Sequence, residues 1–210
     1  MPLLTQAPLG PLVDRLFAEA DAKRPENLPI FAATSPAERE RLMRSKQEWR
    51  LLYSALKDMP LPVSREAGRL LYMLVRAMGA RVIVEFGTSF GLSTLHMAAA
   101  LRDNGGGRLI TSEFETGKIA RAQAHLAEAA LSDLVEIRPG DTYTLYTDGI
   151  NESIDANGAF YTIERLREQV KKFGADPKVV GPAIVEDGKL FLGKAPQVDD
   201  MCLVCFGRTA

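Results

Sequence analysis

The pattern of apolar and polar positions is clearest over residues 81–115, where short apolar runs are separated by glycine-rich breaks. Val82–Val84 is a β-branched run, as expected of a strand buried on both faces. Gly87 and Gly91 then bracket a tight turn, after which apolar residues continue at helical spacing. The pattern predicts a strand, a glycine turn and a helix, which together begin a βαβ unit.

The second half of this unit follows directly. Ser93 or Thr94 can cap the helix, because a hydroxyl near a helix start accepts from a backbone N–H. A glycine-rich break precedes a second short strand, 109–112, which closes on Glu113. A second strand that ends in a carboxylate is typical of the nucleotide-binding half of a doubly wound sheet.

Further helices are indicated on both sides of this unit. Ser35 begins a Ser-Pro-Ala-Glu capping box, and Ser64 precedes a stripe from Ala67 to Met78 that Gly79 ends. The stripes predict helices over 12–22, 36–57, 65–78 and 118–130, and a third strand over 134–137.

The residues at the turn limit the class of ligand that the site can bind. The spacing is E-x-G-x-x-x-G and not the G-x-G-x-x-G of a dinucleotide site, and Glu85 stands just before the turn. That carboxylate disfavours a pyrophosphate but accepts a cationic ligand. Glu113 is placed to accept hydrogen bonds from a ribose diol.

The stretch VEFGTSFGLSTLHMAAAL…GRLITSEFE resembles class I S-adenosylmethionine-dependent methyltransferases, and bacterial O-methyltransferases of the catechol type in particular. The resemblance covers residues 10–141. It implies a Rossmann-like sheet, S-adenosylmethionine as cofactor and a small-molecule hydroxyl as methyl acceptor. The cofactor-binding residues that it implies are Glu85, Gly87, Ser89, Gly91, Ser93, Glu113 and Asp141, the last near the adenine.

The same resemblance assigns a role to the N-terminal helices. In the family this arm covers the substrate side and joins subunits, which implies a homodimer with Trp49 either at the interface or in the core. His96 lies one turn into the helix beside the cofactor, where packing is favoured over chemistry. His125 lies off its helix's apolar stripe and is expected at the surface.

The resemblance to methyltransferases stops near residue 141. The family's D-x-V-x-x-D strand, which supplies metal ligands and leads to the base, is missing. Instead, GDTYTLYTDGINE and APQVDDMCLVCFGR resemble the end of PPM-type, sporulation-regulator-like metal-dependent serine/threonine phosphatases. That resemblance implies that Asp148 and Asp199 bind Mg²⁺ or Mn²⁺, although the family's other carboxylates are absent here.

The sequence therefore predicts a chimera with a junction near 138–141. We expect three parts: a helical arm (1–60), a cofactor-binding part (61–141) and a phosphatase-like segment (142–210). The expected fold is α/β, with a parallel half-sheet covered by helices on both faces and extended by antiparallel strands. The short link predicts a hairpin between 134–138 and 143–147, and Pro182 predicts a kinked or shortened helix.

Composition limits the partners and the location. The net charge is −1, so nothing drives the chain toward nucleic acid or an anionic membrane. No apolar run reaches membrane-spanning length and no signal pattern opens the chain, so a cytoplasmic location is expected. The two cysteines, Cys202 and Cys205, lie in an apolar strand and suggest neither zinc nor redox chemistry.

Three functions fit these patterns. The first is an O-methyltransferase whose activity is impaired because the usual metal and base are missing. The second is a metal-dependent phosphatase with an incomplete site, and the third is a catalytically inactive chimera that binds the cofactor. The longer and better-matched N-terminal part favours the methyltransferase.

Overall fold

The computed structural model describes residues 1–23, 34–45, 52, 54–140, 142–174 and 176–207. The chain divides into two compact units, Met1–Pro139 and Gly140–Ala210. They are called unit 1 and unit 2 and are described separately. The division into 1–60, 61–141 and 142–210 stays a prediction. None of the described helices is long and apolar enough to cross a membrane.

Unit 1 alternates helices with strands after two N-terminal helices. The hydroxyls of Ser35 and Ser64 accept from the N–H groups of Glu38 and Ala67, which confirms both predicted N-caps. The helix that was predicted over 36–57 begins at Pro36 and ends at Arg44, and residues 46–51 of that range, which include Trp49, lie outside the described residues. The elements are α1 (Leu9–Ala22), α2 (Pro36–Arg44), α3 (Arg65–Ala77), β1 (Val82–Phe86), α4 (Leu92–Asp103), β2 (Arg108–Glu113), α5 (Thr116–Glu128) and β3 (Val135–Pro139).

The three strands of unit 1 form a parallel sheet in the order β1-β2-β3. Val84 pairs with Ile110, which in turn pairs with Glu136. Helices α4 and α5 provide the two crossovers, as parallel pairing requires. The predicted α/β class and the parallel half-sheet are confirmed, and all three strands end on one edge, where the turn after β1 lies.

The core of unit 1 is built around α4, which is buried on almost every side. Leu95, Ala98, Ala99 and Leu101 are fully buried, and α1 contributes Leu12 and other side chains to the same cluster. The small alanines let neighbouring elements approach α4 closely. This packing fixes the N-terminus of α4 relative to the sheet, and that N-terminus carries the candidate site.

One prediction about β1 is wrong. Its exposure alternates along the strand, with Val82 and Val84 66% and 58% exposed. Side chains of a strand alternate between its two faces: Ile83 packs against the core of unit 1, whereas Val82 and Val84 lie on the opposite face, which is exposed at β1. Part of the stripe predicted for α3 is exposed as well, while Gly68 and Val75 are its buried residues.

Unit 2 is a two-stranded antiparallel sheet with helices. Its elements are β4 (Thr142–Tyr146), α6 (Asp148–Asn151), α7 (Ile163–Phe173), α8 (Pro177–Leu192) and β5 (Leu203–Gly207). Leu145 pairs with Val204 across the sheet. The predicted antiparallel strands are therefore present, but the hairpin between 134–138 and 143–147 does not form, because β3 pairs with β2 and β4 with β5.

Unit 2 has a core of its own. Its buried side chains are Ile150, Tyr161, Leu166, Val180 and Ile184. Helix α8 runs unbroken past Pro182, so the predicted shortening is wrong. A Cβ on Gly181 would lie 3.4 Å from the Cys205 sulfur, so a glycine lets α8 pack closely on β5.

Candidate functional site

The turn between β1 and α4 has the left-handed backbone that its glycines predict. Gly87 and Gly91 have φ values of 92° and 88°, and Ser89 between them has φ 50°. Gly91 is itself the N-cap of α4, without a side-chain cap. The prediction that Ser93 or Thr94 caps the helix is therefore wrong, since both hydroxyls bond elsewhere.

Those hydroxyls donate to Glu85. Ser93 Oγ lies 2.5 Å from Glu85 Oε1, and Thr94 Oγ1 lies 2.6 Å from Oε2. Thr111 Oγ1, from β2, donates to the same Oε2 at 2.8 Å. The carboxyl group that sequence analysis placed before the turn is thus tied to both flanking elements, the helix and the second strand.

Burial raises the pKa of Glu85, and the three hydroxyl donors oppose that rise. Hydroxyls stabilise a carboxylate less than a guanidinium does, because they carry no net charge. The site therefore holds an acid that a nearby cation would help to ionise. This is the electrostatic character expected of a site that accepts a positively charged ligand.

Glu113 is held by the backbone. Its Oε2 accepts from the Ser89 N–H at 2.8 Å, and its Oε1 accepts from the N–H groups of Phe114 and Glu115 at 3.0 and 3.1 Å. The residue is buried at the end of β2. These amides fix the carboxylate beside the glycine turn while one lone pair on Oε2 remains for a hydroxyl ligand.

Two further residues hold the turn and were missed by sequence analysis. Thr88 Oγ1 lies 2.7 Å from Thr111 Oγ1 and donates to the Ser112 carbonyl at 3.0 Å. His125 of α5 has its Nδ1 2.8 Å from the Phe90 carbonyl oxygen, to which it donates. No local pattern marks either residue, because both contacts join positions more than twenty residues apart.

His125 was predicted to lie at the surface, but it is half-buried. His96 is buried: its Nδ1 lies 2.7 Å from the Leu92 carbonyl oxygen, and its ring meets Phe17 edge-on. Burial lowers the pKa of His96, and Arg69 adds to that effect. A neutral imidazole packed in the core agrees with the packing role predicted for it.

The loop of residues 60–63 lies against the turn between β1 and α4. The Leu61 N–H donates to Ser89 Oγ at 3.0 Å. Residues 60–63 and the turn line a partly open cavity of about 80 Å³. The loop therefore lies next to the turn between β1 and α4, in contact with Ser89.

The other predicted site residues do not join this cluster. Asp141 lies outside the described residues. Asp148, at the start of α6, and Asp199, before β5, are both exposed in unit 2. Thr147 Oγ1 donates to the Asp200 carbonyl at 3.0 Å and so links the two segments. Within the described ranges, no three His, Cys, Asp or Glu side chains form a metal-binding group, so Mg²⁺ or Mn²⁺ has no support.

Comparison with known proteins defines the family. Residues 35–199 match the sequence model of the O-methyltransferase family. The chain therefore belongs to the O-methyltransferase family. The match runs across the predicted junction near 138–141, and the comparisons give no support to a phosphatase-like segment.

Two curated relatives are catechol O-methyltransferases. The one from Niastella koreensis is 32% identical over 138 residues, covering 62% of this chain and 61% of that protein. The one from Mycobacterium tuberculosis is 32% identical over 80 residues, covering 38% of this chain and 36% of that protein. The chain thus spans less than two thirds of the length of these relatives.

Solved structures of O-methyltransferases are also similar. TomG from Streptomyces achromogenes, solved in complex with SAM, is 34% identical with a TM-score of 0.36, covering 50% of this chain and 51% of that one. An O-methyltransferase from Bacillus cereus, in complex with SAH, is 23% identical with a TM-score of 0.38, covering 77% and 59%.

Proposed function

We propose that this protein binds S-adenosylmethionine at the turn between β1 and α4 and transfers its methyl group to a small-molecule hydroxyl. The observation that carries the proposal is the Glu113 carboxylate, buried at the end of β2 and fixed by the Ser89 amide. Family membership supports methyl transfer to oxygen. The names of the two curated relatives support a catechol-like acceptor.

The donor set at the turn fits such a cofactor. Glu113 retains an acceptor lone pair for a ribose hydroxyl, and Glu85 supplies negative charge near a cationic group. A Cβ on Gly87 would meet no atom within 4 Å, so the turn leaves space above its backbone. We therefore infer that Glu85, Gly87, Ser89, Gly91, Ser93 and Glu113 hold the cofactor.

The cavity beside residues 60–63 is smaller than the ligand. Small-molecule pockets occupy about 300–1,000 Å³, whereas the cavity beneath Pro60–Val63 is about 80 Å³. We infer that this loop moves when the cofactor binds, which would break the hydrogen bond between Leu61 and Ser89. The loop then provides a cover that excludes water from the bound ligand.

The bound cofactor supplies an activated methyl group on a cationic sulfur. The residues of this chain contribute positioning and charge. Glu113 orients the ribose, the turn amides fix that carboxylate, and Glu85 favours the cationic end of the ligand. The described residues include no cluster of metal ligands, and the motif that leads to the family's base is missing. We therefore propose that binding persists while turnover is impaired.

Calorimetric titration with S-adenosylhomocysteine tests the cofactor site. We expect micromolar binding by the intact chain and at least tenfold weaker binding by Glu113→Ala and Glu113→Gln. Glu128→Ala is the matched control, because it removes one carboxylate from the exposed far end of α5. Circular dichroism verifies that each variant is folded.

The outcomes separate cofactor binding from catalysis. Equal affinity for Glu113→Ala and the intact chain would contradict the proposed ribose contact. No binding by a folded intact chain would overturn the cofactor site as a whole. Binding together with methyl transfer to a catechol supports the full proposal, whereas binding without transfer supports the inactive cofactor-binding alternative.

A further inference from the structure

A partly open cavity of about 520 Å³ lies between helices α1, α3 and α4 of unit 1. Its volume falls within the range of about 300–1,000 Å³ that small-molecule sites occupy. Gly87 and Ser89 of the proposed cofactor site line another cavity, of about 80 Å³. The proposed function therefore gives the larger cavity no role. Its walls combine apolar and charged side chains from the three helices, among them Val13, Asp14, Phe17, Arg65, Arg69 and His96.

His96 is a buried polar group in the wall of this cavity. The residue is 2% exposed, and its Nδ1 lies 2.7 Å from the Leu92 carbonyl oxygen. A carbonyl oxygen only accepts, so in the neutral ring Nδ1 carries the proton and Nε2 has a free lone pair. Among the described residues, no group bonds to Nε2. Every fully buried side-chain nitrogen and oxygen of those residues has a partner, so Nε2 is open to the cavity.

Helix α3 places two cationic residues beside this nitrogen. Arg65, Gly68 and Arg69 are spaced i, i+3 and i+4, so they share one face of the helix. A Cβ on Gly68 would lie 2.8 Å from His96 Nε2, which shows that the imidazole edge lies against this face. Both arginines line the same cavity. An acceptor nitrogen and two guanidinium-bearing residues therefore surround one space.

The two arginines differ in how far their charges are balanced. Arg65 Nη1 lies 3.3 Å from Asp14 Oδ1, and a longer contact of 3.8 Å joins Arg65 to Asp21. Arg69 makes neither a hydrogen bond nor an ion pair with the described residues. Arg65 is thus already paired, whereas Arg69 is available for an anion. Arginines on a helix surface are usually only solvated, and the unbonded Nε2 in the same cavity is the observation that indicates a ligand.

We propose that this cavity binds a small carboxylate whose apolar body carries a hydroxyl group. The carboxylate pairs with Arg69, the apolar body packs against Val13 and Phe17, and the hydroxyl donates to His96 Nε2. The chemistry fixes this orientation, because a guanidinium only donates hydrogen bonds and the free nitrogen of a neutral imidazole only accepts them. The guanidinium–carboxylate bonds are charge-assisted and provide most of the affinity. This assigns a second ligand site to unit 1, apart from the glycine turn.

Calorimetric titration of the full chain with 4-hydroxybenzoate tests the site. At pH 7 the carboxyl group of this probe is ionised and its phenol is protonated. We expect saturable binding with a Kd below about 1 mM. Binding by Arg69→Gln is expected to be about tenfold weaker, because the charge-assisted pair is lost. Arg76→Gln is the matched control: it makes the same change two turns further along α3, and circular dichroism verifies that both variants are folded.

A second variant sharpens the test in the opposite direction. Asp14→Asn removes the carboxylate that pairs with Arg65 and that repels an anion in the cavity. We expect it to bind 4-hydroxybenzoate about threefold more tightly, as suits the loss of an exposed ion pair. Weaker binding by Asp14→Asn would contradict an anion site at this wall.

NMR of the imidazole nitrogens tests the hydroxyl contact without any substitution. The chain has two histidines, so His125 is the internal control. The Nε2 signal of His96 is expected to shift when 4-hydroxybenzoate binds and to shift less with benzoate, which lacks the hydroxyl. A His96 Nε2 signal that stays in place at saturation would contradict the contact.

Three calorimetric results would overturn the site. They are no saturable binding by the folded chain, equal affinity in Arg69→Gln and the intact chain, and an equal loss in Arg76→Gln, which would show a general charge effect. Weaker binding of the probe by Glu113→Ala, or competition by S-adenosylhomocysteine, would place the probe at the glycine turn and equally contradict a second site. Failure of cofactor binding alone leaves these results unchanged, so the two proposals are tested independently.

Discussion

Glu85 in unit 1 and Asp187 in unit 2 are both acids within hydrogen-bonded clusters, but their environments differ. Hydroxyls surround Glu85, and burial raises its pKa. Asp187 accepts two bonds from Arg165, at 2.8 and 2.9 Å, and one from the Tyr161 hydroxyl at 2.7 Å. The Arg165 guanidinium lowers the pKa of Asp187.

We infer from this difference that Glu85 serves a ligand, whereas Asp187 serves the fold. The charge of Asp187 is balanced within unit 2, where the aspartate joins α8 to α7. For Glu85, burial is the largest influence on the pKa and raises it, so ionising this carboxyl group costs unit 1 stability. A protein retains such a cost where a ligand compensates for it. The comparison therefore supports Glu85 as a site residue independently of sequence motifs.

The largest expected effect tests whether the two units are separate cooperative units. Leu101→Ala creates a cavity in the core of unit 1 and is expected to destabilise it by about 3 kcal/mol. Hydrogen exchange measured by segment should speed up in 1–139 and stay unchanged in 140–210. Ile184→Ala is the reciprocal variant and should speed up exchange only in 140–210. Faster exchange in both units with either variant would show that they unfold together.

A smaller effect is expected from the ion pair of unit 2. Asp187→Ala removes the acceptor of Arg165 and of the Tyr161 hydroxyl and is expected to cost about 2 kcal/mol. Because the pKa of Asp187 is lowered on folding, its contribution is present above the unfolded value near pH 4 and is lost as the pH falls below it. Denaturant unfolding at pH 7 and pH 3 should show a larger cost at pH 7. An equal cost at both would contradict the ion pair.

The smallest effect on stability has the opposite pH dependence. The folded pKa of Glu85 is raised, so its contribution is largest below the unfolded value near pH 4 and falls as the pH rises through the folded pKa. Glu85→Gln keeps the shape without the charge and is expected to change stability by less than about 1 kcal/mol. Relative to the intact chain, the variant should gain stability from pH 4 to pH 7.

The same variant should weaken cofactor binding. Glu85→Gln removes the negative charge, so affinity for S-adenosylmethionine is expected to fall more than affinity for the uncharged sulfur of S-adenosylhomocysteine. Calorimetry with both ligands measures the two losses. A variant that is less stable at pH 7 and binds both ligands normally would assign Glu85 to the fold, and the contrast with Asp187 would disappear.

In unit 1, the sequence correctly predicted features that depend on contacts between residues close together in the chain. Ser35 and Ser64 cap their helices because a hydroxyl acts within three residues, and the glycines at 87 and 91 require left-handed backbone. Glu113 was assigned from its position at a strand end. The fold class followed from the same alternation of strands and helices.

Non-local pairing explains what was missed. The partner of Leu145 is Val204, nearly sixty residues away, so a short link to β3 wrongly suggested a hairpin. The hydroxyls of Ser93 and Thr94 could bond either to the backbone at the helix start or to a side chain, and both donate to the carboxyl group of Glu85. The exposure of Val82 depends on whether another element covers its face of the sheet, and the sequence of β1 alone does not determine that.

Helix α3 has two faces with opposite tolerance to change. On one, a Cβ at Gly68 would lie 2.8 Å from the imidazole of His96, so even alanine requires the buried imidazole or the helix to shift. On the other face, the side chains of Leu70 and Met73 are exposed. A saturation mutagenesis screen for folding alone should accept only glycine at 68 and many residue types at 70 and 73. A second screen could select for function as well as folding. If it accepts fewer residue types at 70 and 73 than the folding screen does, the difference measures selection by a binding partner and not by the fold.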